Sequence, residues 1–472
     1  MITVELRRAL FNRGVEIVVL LGGYDDAIPS YSAYELFFDT SDFKSSIHRC
    51  YPAALSDSFL EEYARCVSRI GFNPLTGANS FCGGGIVNPD NLMDWAQLHA
   101  SMAGRLLELY KPDQIWMANN PHMGFDNALV EVADARDVKV LQCAPVPIPG
   151  KFHFKRPGQN EDNGWESRPV FEKLDLSDFS PNLFYMRTVR RDDEESTLTK
   201  WGRVARVSFR QNSIRSFLAG AYDFSIRHHM ALVPSILELA DAHQRSSALF
   251  RFQRRISAKR LRKRVPRIKD WKALDEPFIY FPLHYEPEAA VSVVKSGFHN
   301  QANAIQALRA SVPTNWVILL KENPKQGYLH RDRAFYARIK AMDNVAFVAD
   351  SVESQSLIDE SEFVATVTGT AGFEAIRSGK ACVYFGQPWY ATLPGAVCFS
   401  RNLAFESLSK ETISREAINR ALSKLSETLA DGIMNHWMIK TLPEHRSVKE
   451  LTETTAASLV TIARALDAED CR

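Results

Sequence analysis

The chain has 472 residues, 45% of them apolar, and a formal net charge of +1. A chain of this length is expected to form two or more domains, each able to bury a core. The balanced charge gives no indication of a nucleic-acid partner. The first 13 residues carry Glu5, Arg7 and Arg8 and lack the apolar core of a signal peptide, and no apolar run is long enough to span a membrane. We therefore expect a cytoplasmic protein, with any membrane attachment peripheral.

The cysteines and histidines give no metal-binding pattern. The seven cysteines are odd in number and scattered, without a C-x-x-C spacing. This favours reduced thiols over a disulfide framework. His228 and His229 are adjacent but have no spaced partner, and no Asp-x-Asp follows a predicted strand. We therefore expect neither a metal ion nor another cofactor.

In chain order, strand and helix patterns alternate in two separate parts. The N-terminal part has predicted strands at 17–21, 114–118 and 138–141, with helices at 96–110 and 127–135. From 145 to 182 the pattern changes to Pro, Gly and charged residues, which predicts a long loop, and 194–257 is mostly helical. The alternation then resumes, with strands at 278–281, 316–320, 345–348, 363–367 and 381–385 and helices at 301–311, 333–342 and 354–361. Helices after residue 411 and at 459–466 close the chain.

This alternation predicts an α/β fold of two Rossmann-like domains with parallel sheets. The predicted domains are residues 1–182 and 273–472, and residues 183–272 form a helical and basic connector. The connector ends in a basic run that begins with Arg251 and ends with Lys269. The run is either a solvated helix face or linker paired with acids elsewhere, or a contact with anionic lipid head groups or a phosphorylated acceptor. Ligand sites in such folds lie at the carboxyl ends of the strands.

The most informative segment follows the predicted strand at 363–367. Thr368, Gly369, Thr370 and Gly372 form a turn of small residues that leads into a short helix containing Glu374. Small side chains allow a ligand close to the backbone, and free N–H groups at a helix start attract a phosphate. The alternative is a tight turn that uses glycine only for its backbone freedom.

Other polar segments also follow predicted strands. His284, Glu286 and Glu288 suit acid–base chemistry on sugar hydroxyls, or else form a loop that caps the next helix. Lys321 follows the next strand with Asn323 and is a candidate counter-charge for phosphate. His122 follows the strand at 114–118 and is either a base or merely structural. The aromatic residues at 385–390 are either a platform for a base or sugar, or core.

The order and spacing of five segments resemble one known family. Residues 280–288, 321–324, 368–375, 379–380 and 385–386 look like the bacterial capsule polysaccharide biosynthesis family, which is similar to the Kdo transferases that build capsule linkers. The resemblance implies GT-B architecture, in which two Rossmann-type domains face a cleft. One residue departs from the pattern, because Asn323 stands where the family commonly has His. Asn can donate a hydrogen bond but carries no positive charge, which bears on whether the donor is a CMP-sugar.

The resemblance implies a glycosyltransferase of capsule or surface polysaccharide biosynthesis. It would move a sugar from a nucleotide-activated donor, with CMP-Kdo or a related acidic sugar among the candidates, to a glycan or glycolipid acceptor. The candidate catalytic residues are His284, Glu286, Glu288 and His122. The candidate nucleotide- or phosphate-binding residues are Lys321, Asn323, Thr368, Gly369, Thr370, Gly372 and Glu374. Two alternatives are a sugar-nucleotide epimerase of the same architecture and a non-catalytic binding subunit of an assembly complex.

Overall fold

A computed structural model describes residues 4–21, 30–31, 89–118, 124–156, 168–174, 260, 262–268, 270–285, 298, 300–323, 331, 333–349, 351–410, 413–434 and 447–468. The strands are β1 (Leu20–Leu21), β2 (Ser30–Tyr31), β3 (Gln114–Met117), β4 (Lys139–Pro145), β5 (Lys151–Lys155), β6 (Arg267–Ile268), β7 (Phe278–Pro282), β8 (Val317–Lys321), β9 (Val345–Val348), β10 (Val364–Thr366), β11 (Cys382–Tyr384), β12 (Ala396–Cys398) and β13 (Ala430–Asp431). The helices are α1 (Val4–Phe11), α2 (Pro89–Tyr110), α3 (Gly124–Asp134), α4 (Gln301–Arg309), α5 (Arg333–Lys340), α6 (Ser354–Glu360), α7 (Thr370–Arg377), α8 (Phe405–Leu408), α9 (Arg415–Ser426) and α10 (Val448–Ala468).

The larger sheet has seven parallel strands in the order β12-β11-β10-β7-β8-β9-β6. Helices α4 and α5 pack on one face and α6 and α7 on the other. Every residue of β8 is buried, as expected for a strand covered on both faces. The predicted α/β class, with a Rossmann-like parallel sheet, is therefore confirmed.

The smaller sheet has the order β13-β5-β4-β3. Strands β3 and β4 are parallel, whereas β4–β5 and β5–β13 pair antiparallel. Helices α1 and α10 cover one face, and α2 and α3 cover the other. Within the described residues, no helix is long and apolar enough to cross a membrane.

Four elements differ from the sequence prediction. Strand β5 lies inside the predicted loop at 145–182, and burial of Phe152 and Phe154 in the smaller core explains why it forms. Strand β6 belongs to the larger sheet, whereas the sequence pattern places its residues in the connector. The predicted domain 273–472 contains β13 and α10, but their packing partners are β5 and α1 of the N-terminal part. An ion pair at 2.7 Å between the buried Lys151 and the half-buried Asp431 joins the two chain segments.

The two sheets are connected through the link between β4 and β5. Val146 and Ile148 on this link belong to one apolar cluster with Phe373 and Ile376 of α7. Helix α7 therefore packs on the larger sheet with one side and contacts the β4–β5 link with another. Most of the predicted helical and basic connector at 183–272 lies outside the described residues, which include only 260, 262–268 and 270–272 of it.

Candidate functional site

Three central strands of the larger sheet end at the same edge. Strands β7, β8 and β10 are neighbours or next neighbours and end at Pro282, Lys321 and Thr366. Because the strands are parallel, the segments that follow them meet at this edge, about 5 Å apart from strand to strand. The edge carries His284, Lys321 and the turn into α7, so the sequence-predicted segments are brought together.

Helix α7 begins at this edge, and the residues at its start are half-buried. Gly369 is its N-cap residue and offers no side-chain cap. The N–H of Gly372 donates to the Gly369 carbonyl at 3.0 Å. Among the described residues, no acceptor faces the N–H groups of Thr370 and Ala371. Unsatisfied N–H groups and the helix dipole stabilise a negative charge, so an anion fits here.

The ring of His284 holds the turn before α7. Its Nε2 accepts a hydrogen bond from the Thr368 N–H at 3.3 Å and lies 3.2 Å from Thr366 Oγ1. The Gly369 N–H in turn donates to Thr366 Oγ1 at 3.1 Å. This network assigns the ring proton to Nδ1, because Nε2 serves as the acceptor. His284 is buried, and it contacts the turn before α7 directly.

Two glycines of the turn are required by close packing. A Cβ on Gly369 would lie 2.7 Å from Thr366 Oγ1 and 3.1 Å from His284 Nε2. A Cβ on Gly372 would overlap the Tyr390 hydroxyl and lie 2.5 Å from Cys382 Sγ. The space beside Gly372 is thus filled by protein. The structure gives this glycine a packing role, and a phosphate contact from its N–H stays a prediction.

A second group of polar side chains is formed by Lys321, Ser354 and Tyr280. Lys321 Nζ donates to Ser354 Oγ at 2.9 Å, and the Tyr280 hydroxyl donates to the same oxygen at 3.3 Å. Glu374 of α7 is buried nearby, and burial raises the pKa of its carboxyl to about 7, although Arg377 and Lys321 lower it. A buried cation and a buried carboxyl whose pKa is raised to about 7 therefore lie in the same part of the fold as the start of α7.

Behind the edge, Glu322 is the centre of a buried ionic network. Arg331 donates to Glu322 Oε1, and the Tyr336 hydroxyl donates to Oε2 at 2.9 Å. Arg262, from the basic run, lies 3.8 Å from Glu322 Oε2. Both Glu322 and Arg331 are buried. The contact between Arg262 and Glu322 agrees with the prediction that the basic run pairs with acidic residues elsewhere in the chain, at least for this one arginine.

The remaining predicted residues divide into described and undescribed ones. Asn323 follows β8 and is half-buried. Glu286, Glu288 and His122 lie outside the described residues, so their catalytic roles stay predictions. Within the described part of the chain, no three His, Cys, Asp or Glu side chains are grouped to hold a metal ion. A reaction without metal also stays a prediction.

Two of the three aromatic rings in the segment at 385–390, those of Phe385 and Tyr390, lie in the core, and Trp389 is half-buried. Phe385 stacks on Phe399 with ring centroids 4.3 Å apart, and Tyr390 is fully buried beside Phe373. The interpretation of these two rings as a ligand platform is not supported, because neighbouring side chains cover them.

Sequence reasoning missed several polar residues near the edge. Ser354 is the first residue of α6, and the sequence pattern predicts a helix that begins there after a strand. This position could have marked it as a site residue. Tyr280 lies within the apolar strand β7. Gln301 lies well beyond the end of β7 in sequence, and Arg331 well beyond the end of β8. Nothing local marks these three as neighbours of the site.

The pKa of Glu374 predicts a pH dependence of stability. Because its value in the folded state, about 7, lies above the ordinary 4.5, the folded protein keeps a proton that the unfolded chain has released. Stability is therefore expected to fall as pH rises from about 4.5 to about 7. Glu374→Gln cannot ionise and should lack this component. Urea unfolding of both proteins at pH 5, 6, 7 and 8 measures it. Parallel curves for the two proteins would contradict the assignment.

The region that contains this edge is similar to known proteins. Residues 228–423 match the family model described as capsule polysaccharide biosynthesis protein. No curated protein matches the chain. Among solved structures, the Thermosulfurimonas dismutans KpsC β-Kdo 2,4 transferase is similar at 19% identity over 36% of this chain and 54% of that chain, with a TM-score of 0.23. The chain thus spans about half of that structure.

Two further structures are similar at comparable TM-scores. The Thermosulfurimonas dismutans KpsC β-Kdo 2,7 transferase is 13% identical over 69% of this chain and 89% of that chain, with a TM-score of 0.28. The Methanocaldococcus jannaschii UDP-GlcNAc 2-epimerase, in complex with UDP-GlcNAc and UDP, is 9% identical over 97% of this chain and 95% of that chain, with a TM-score of 0.28. TM-scores this low say nothing about the activity of this chain.

The family match includes every segment that carried the resemblance in the sequence, and it contains β7 to β12 and the edge at which α7 begins. The predicted resemblance to the capsule polysaccharide biosynthesis family is therefore confirmed over residues 228–423.

Proposed function

We propose that the chain is a glycosyltransferase of capsule or surface polysaccharide biosynthesis. It transfers a sugar from a nucleotide-activated donor to a glycan or glycolipid acceptor. The donor phosphate binds at the edge of the larger sheet, and the acceptor approaches from the N-terminal part. The observation that carries the proposal is the helix start at Thr370 and Ala371, at the same edge of the larger sheet as Lys321 and within the family-matching region.

The chemistry requires a stabilised leaving phosphate. The two N–H groups at the start of α7 and the Lys321 ammonium supply positive potential without a metal ion. Lys321 is nearly buried, which strengthens its attraction for an anion. In this arrangement His284 orients the turn through Nε2, so the geometry favours a positioning role for its ring.

The acceptor hydroxyl must lose its proton. Glu286 and Glu288 follow β7 closely in sequence and are our proposed bases, with His122 as the proposed acceptor contact. A positioned base contributes about 10²- to 10⁴-fold to rate. Asn323 can donate a hydrogen bond to a phosphate or to the acidic group of a Kdo-like sugar. CMP-Kdo therefore stays among the candidate donors.

The test is product analysis with CMP-, UDP-, GDP- and dTDP-sugars in the presence of glycan and glycolipid acceptors. Transfer of sugar to an acceptor supports the proposal, and Glu286→Gln or Glu288→Gln should then lower the rate at least 100-fold. The matched control is Glu406→Gln, which removes an exposed carboxylate at the start of α8 and should leave the rate unchanged. Interconversion of the free donor would indicate an epimerase, and binding without turnover a non-catalytic subunit. Either result contradicts the proposal.

We also propose that the basic run contacts an anionic membrane surface, where a lipid-linked acceptor would be extended. Arg260, Lys263 and Arg264 are exposed, whereas Arg262 faces Glu322 and is excluded from this contact. Each basic residue near an anionic surface contributes about 1 kcal/mol, so several together can hold the protein there.

A further inference from the structure

The backbone of His284 is held on both sides by buried side chains. Its N–H donates to Gln301 Oε1 at 2.8 Å. Its carbonyl accepts from Gln301 Nε2 at 3.3 Å and also from the Arg331 guanidinium. Gln301 and Arg331 are both fully buried. Two residues distant in sequence therefore fix the backbone of the residue that follows β7.

Arg331 is itself fixed independently of His284. It is paired with Glu322, which also accepts from the Tyr336 hydroxyl, and its guanidinium lies 4.9 Å from the ring centre of Phe335. A guanidinium is planar and presents several donors in fixed directions. With one nitrogen bound to Glu322, another is aimed at the His284 carbonyl.

From the His284 backbone the restraint continues to the phosphate turn. The ring Nε2 meets the Thr368 N–H and Thr366 Oγ1, and the latter also binds the Gly369 N–H. These contacts set the path of the chain into α7. A shift of the His284 backbone would therefore move the turn and the donors that follow it.

We infer that Arg331 and Gln301 are positioning residues for the anion site, because they fix His284 and thereby the turn into α7. The inference rests on the proposed function in one respect, namely that the start of α7 binds the donor phosphate. Neither residue contacts the ligand. Their effect is to keep the N–H donors of Thr370 and Ala371 ordered before the ligand arrives.

Two variants test this inference, with one matched control. Arg331→Lys keeps a positive charge for Glu322, but a single ammonium cannot hold both acceptors in the same geometry. Gln301→Glu keeps an acceptor for the His284 N–H and removes the donor to its carbonyl. The control Tyr336→Phe removes a hydrogen bond from the same network without touching His284.

The first readouts need no ligand. In the free protein, ¹⁵N NMR of the His284 ring should show the Nδ1–H tautomer in wild type and in Tyr336→Phe, and a mixture of tautomers in the Arg331 and Gln301 variants. Amide exchange of Thr368 and Gly369 should be at least tenfold faster in those two variants. The urea midpoint should match that of Tyr336→Phe, which separates positioning from global stability. Ring signals and exchange rates equal to those of the control would overturn the inference.

Calorimetry with CMP and with UDP then measures the consequence for binding. The Arg331 and Gln301 variants should bind at least tenfold more weakly than Tyr336→Phe. If wild type binds neither CMP nor UDP, the same variants are measured with GDP and dTDP. If wild type binds none of the four nucleotides, the proposed function is contradicted, and the free-protein readouts still decide the positioning role. If Arg331→Lys does not fold, Gln301→Glu decides by the same measurements: a loosened turn supports the inference and an unchanged turn overturns it.

Discussion

Replacing Lys321 with methionine should weaken nucleotide binding by roughly tenfold to a hundredfold. The ammonium is held by Ser354 at the edge where α7 begins, and it is nearly buried. A hydrogen bond to a charged group contributes about 1.5 to 3 kcal/mol, which corresponds to that range in dissociation constant. Methionine keeps the length and apolar stem of the side chain, so the change isolates the charge. Calorimetry with CMP and UDP at pH 7 measures the effect.

The matched control is Lys380→Met. Lys380 lies just before β11, a strand of the same larger sheet. It is therefore at the opposite edge of that sheet, where it donates to the Ser361 carbonyl at 2.6 Å. Its loss should leave nucleotide affinity unchanged. Equal losses in the two variants would show a general effect of charge, and an unchanged Lys321→Met would remove this lysine from the site.

The second large effect is expected on stability from Gly372→Ala. In a helix, alanine is ordinarily more stable than glycine by about 0.5 to 1 kcal/mol. Here the new methyl group would collide with the Tyr390 hydroxyl and Cys382 Sγ, both in a buried cluster. Overpacking of a core typically costs about 1 to 3 kcal/mol, so we expect the free energy of unfolding to fall. Urea denaturation measures this change.

A double-mutant cycle identifies the cause. Tyr390→Phe removes the hydroxyl that donates to the Gly369 carbonyl, together with the nearest obstacle to the methyl group. The cost of Gly372→Ala should be smaller in this background, with a coupling of about 0.5 kcal/mol or more. If Gly372→Ala is as stable as wild type, the close packing of α7 on Tyr390 is wrong.

The larger sheet was predictable because its strands are short apolar runs separated by helices. In a parallel sheet each strand is buried on both faces, and the sequences of β7, β8 and β9 show this as continuous apolar runs. Strands β5 and β13 were not predictable, because their pairing joins residues more than 270 positions apart along the chain. Hydrophobic periodicity is local and carries no information about such partners.

The site shows the same division between local and distant information. The turn at Thr368 and Gly369 and the cation of Lys321 could be found because Lys321 ends β8 and the turn comes shortly after β10. The contacts of Arg331 and Gln301 with His284 could not, because they depend on the packing of α4 and of a segment beyond β8. At Gly372 the sequence indicates an open approach for a ligand, but the chain fills that space with Tyr390.

We propose that the donor nucleotide phosphate binds at the start of α7 and the end of β8. Hydrogen exchange of the wild-type chain with and without saturating CMP or UDP tests this assignment most directly. The expected result is slower exchange with nucleotide in peptides that cover residues 366–374 and 319–323, and unchanged exchange in β3 and β4. If CMP and UDP give no protection, GDP and dTDP are tested in the same way. Protection confined to the smaller sheet, or no protection with any of the four nucleotides, would contradict the proposal.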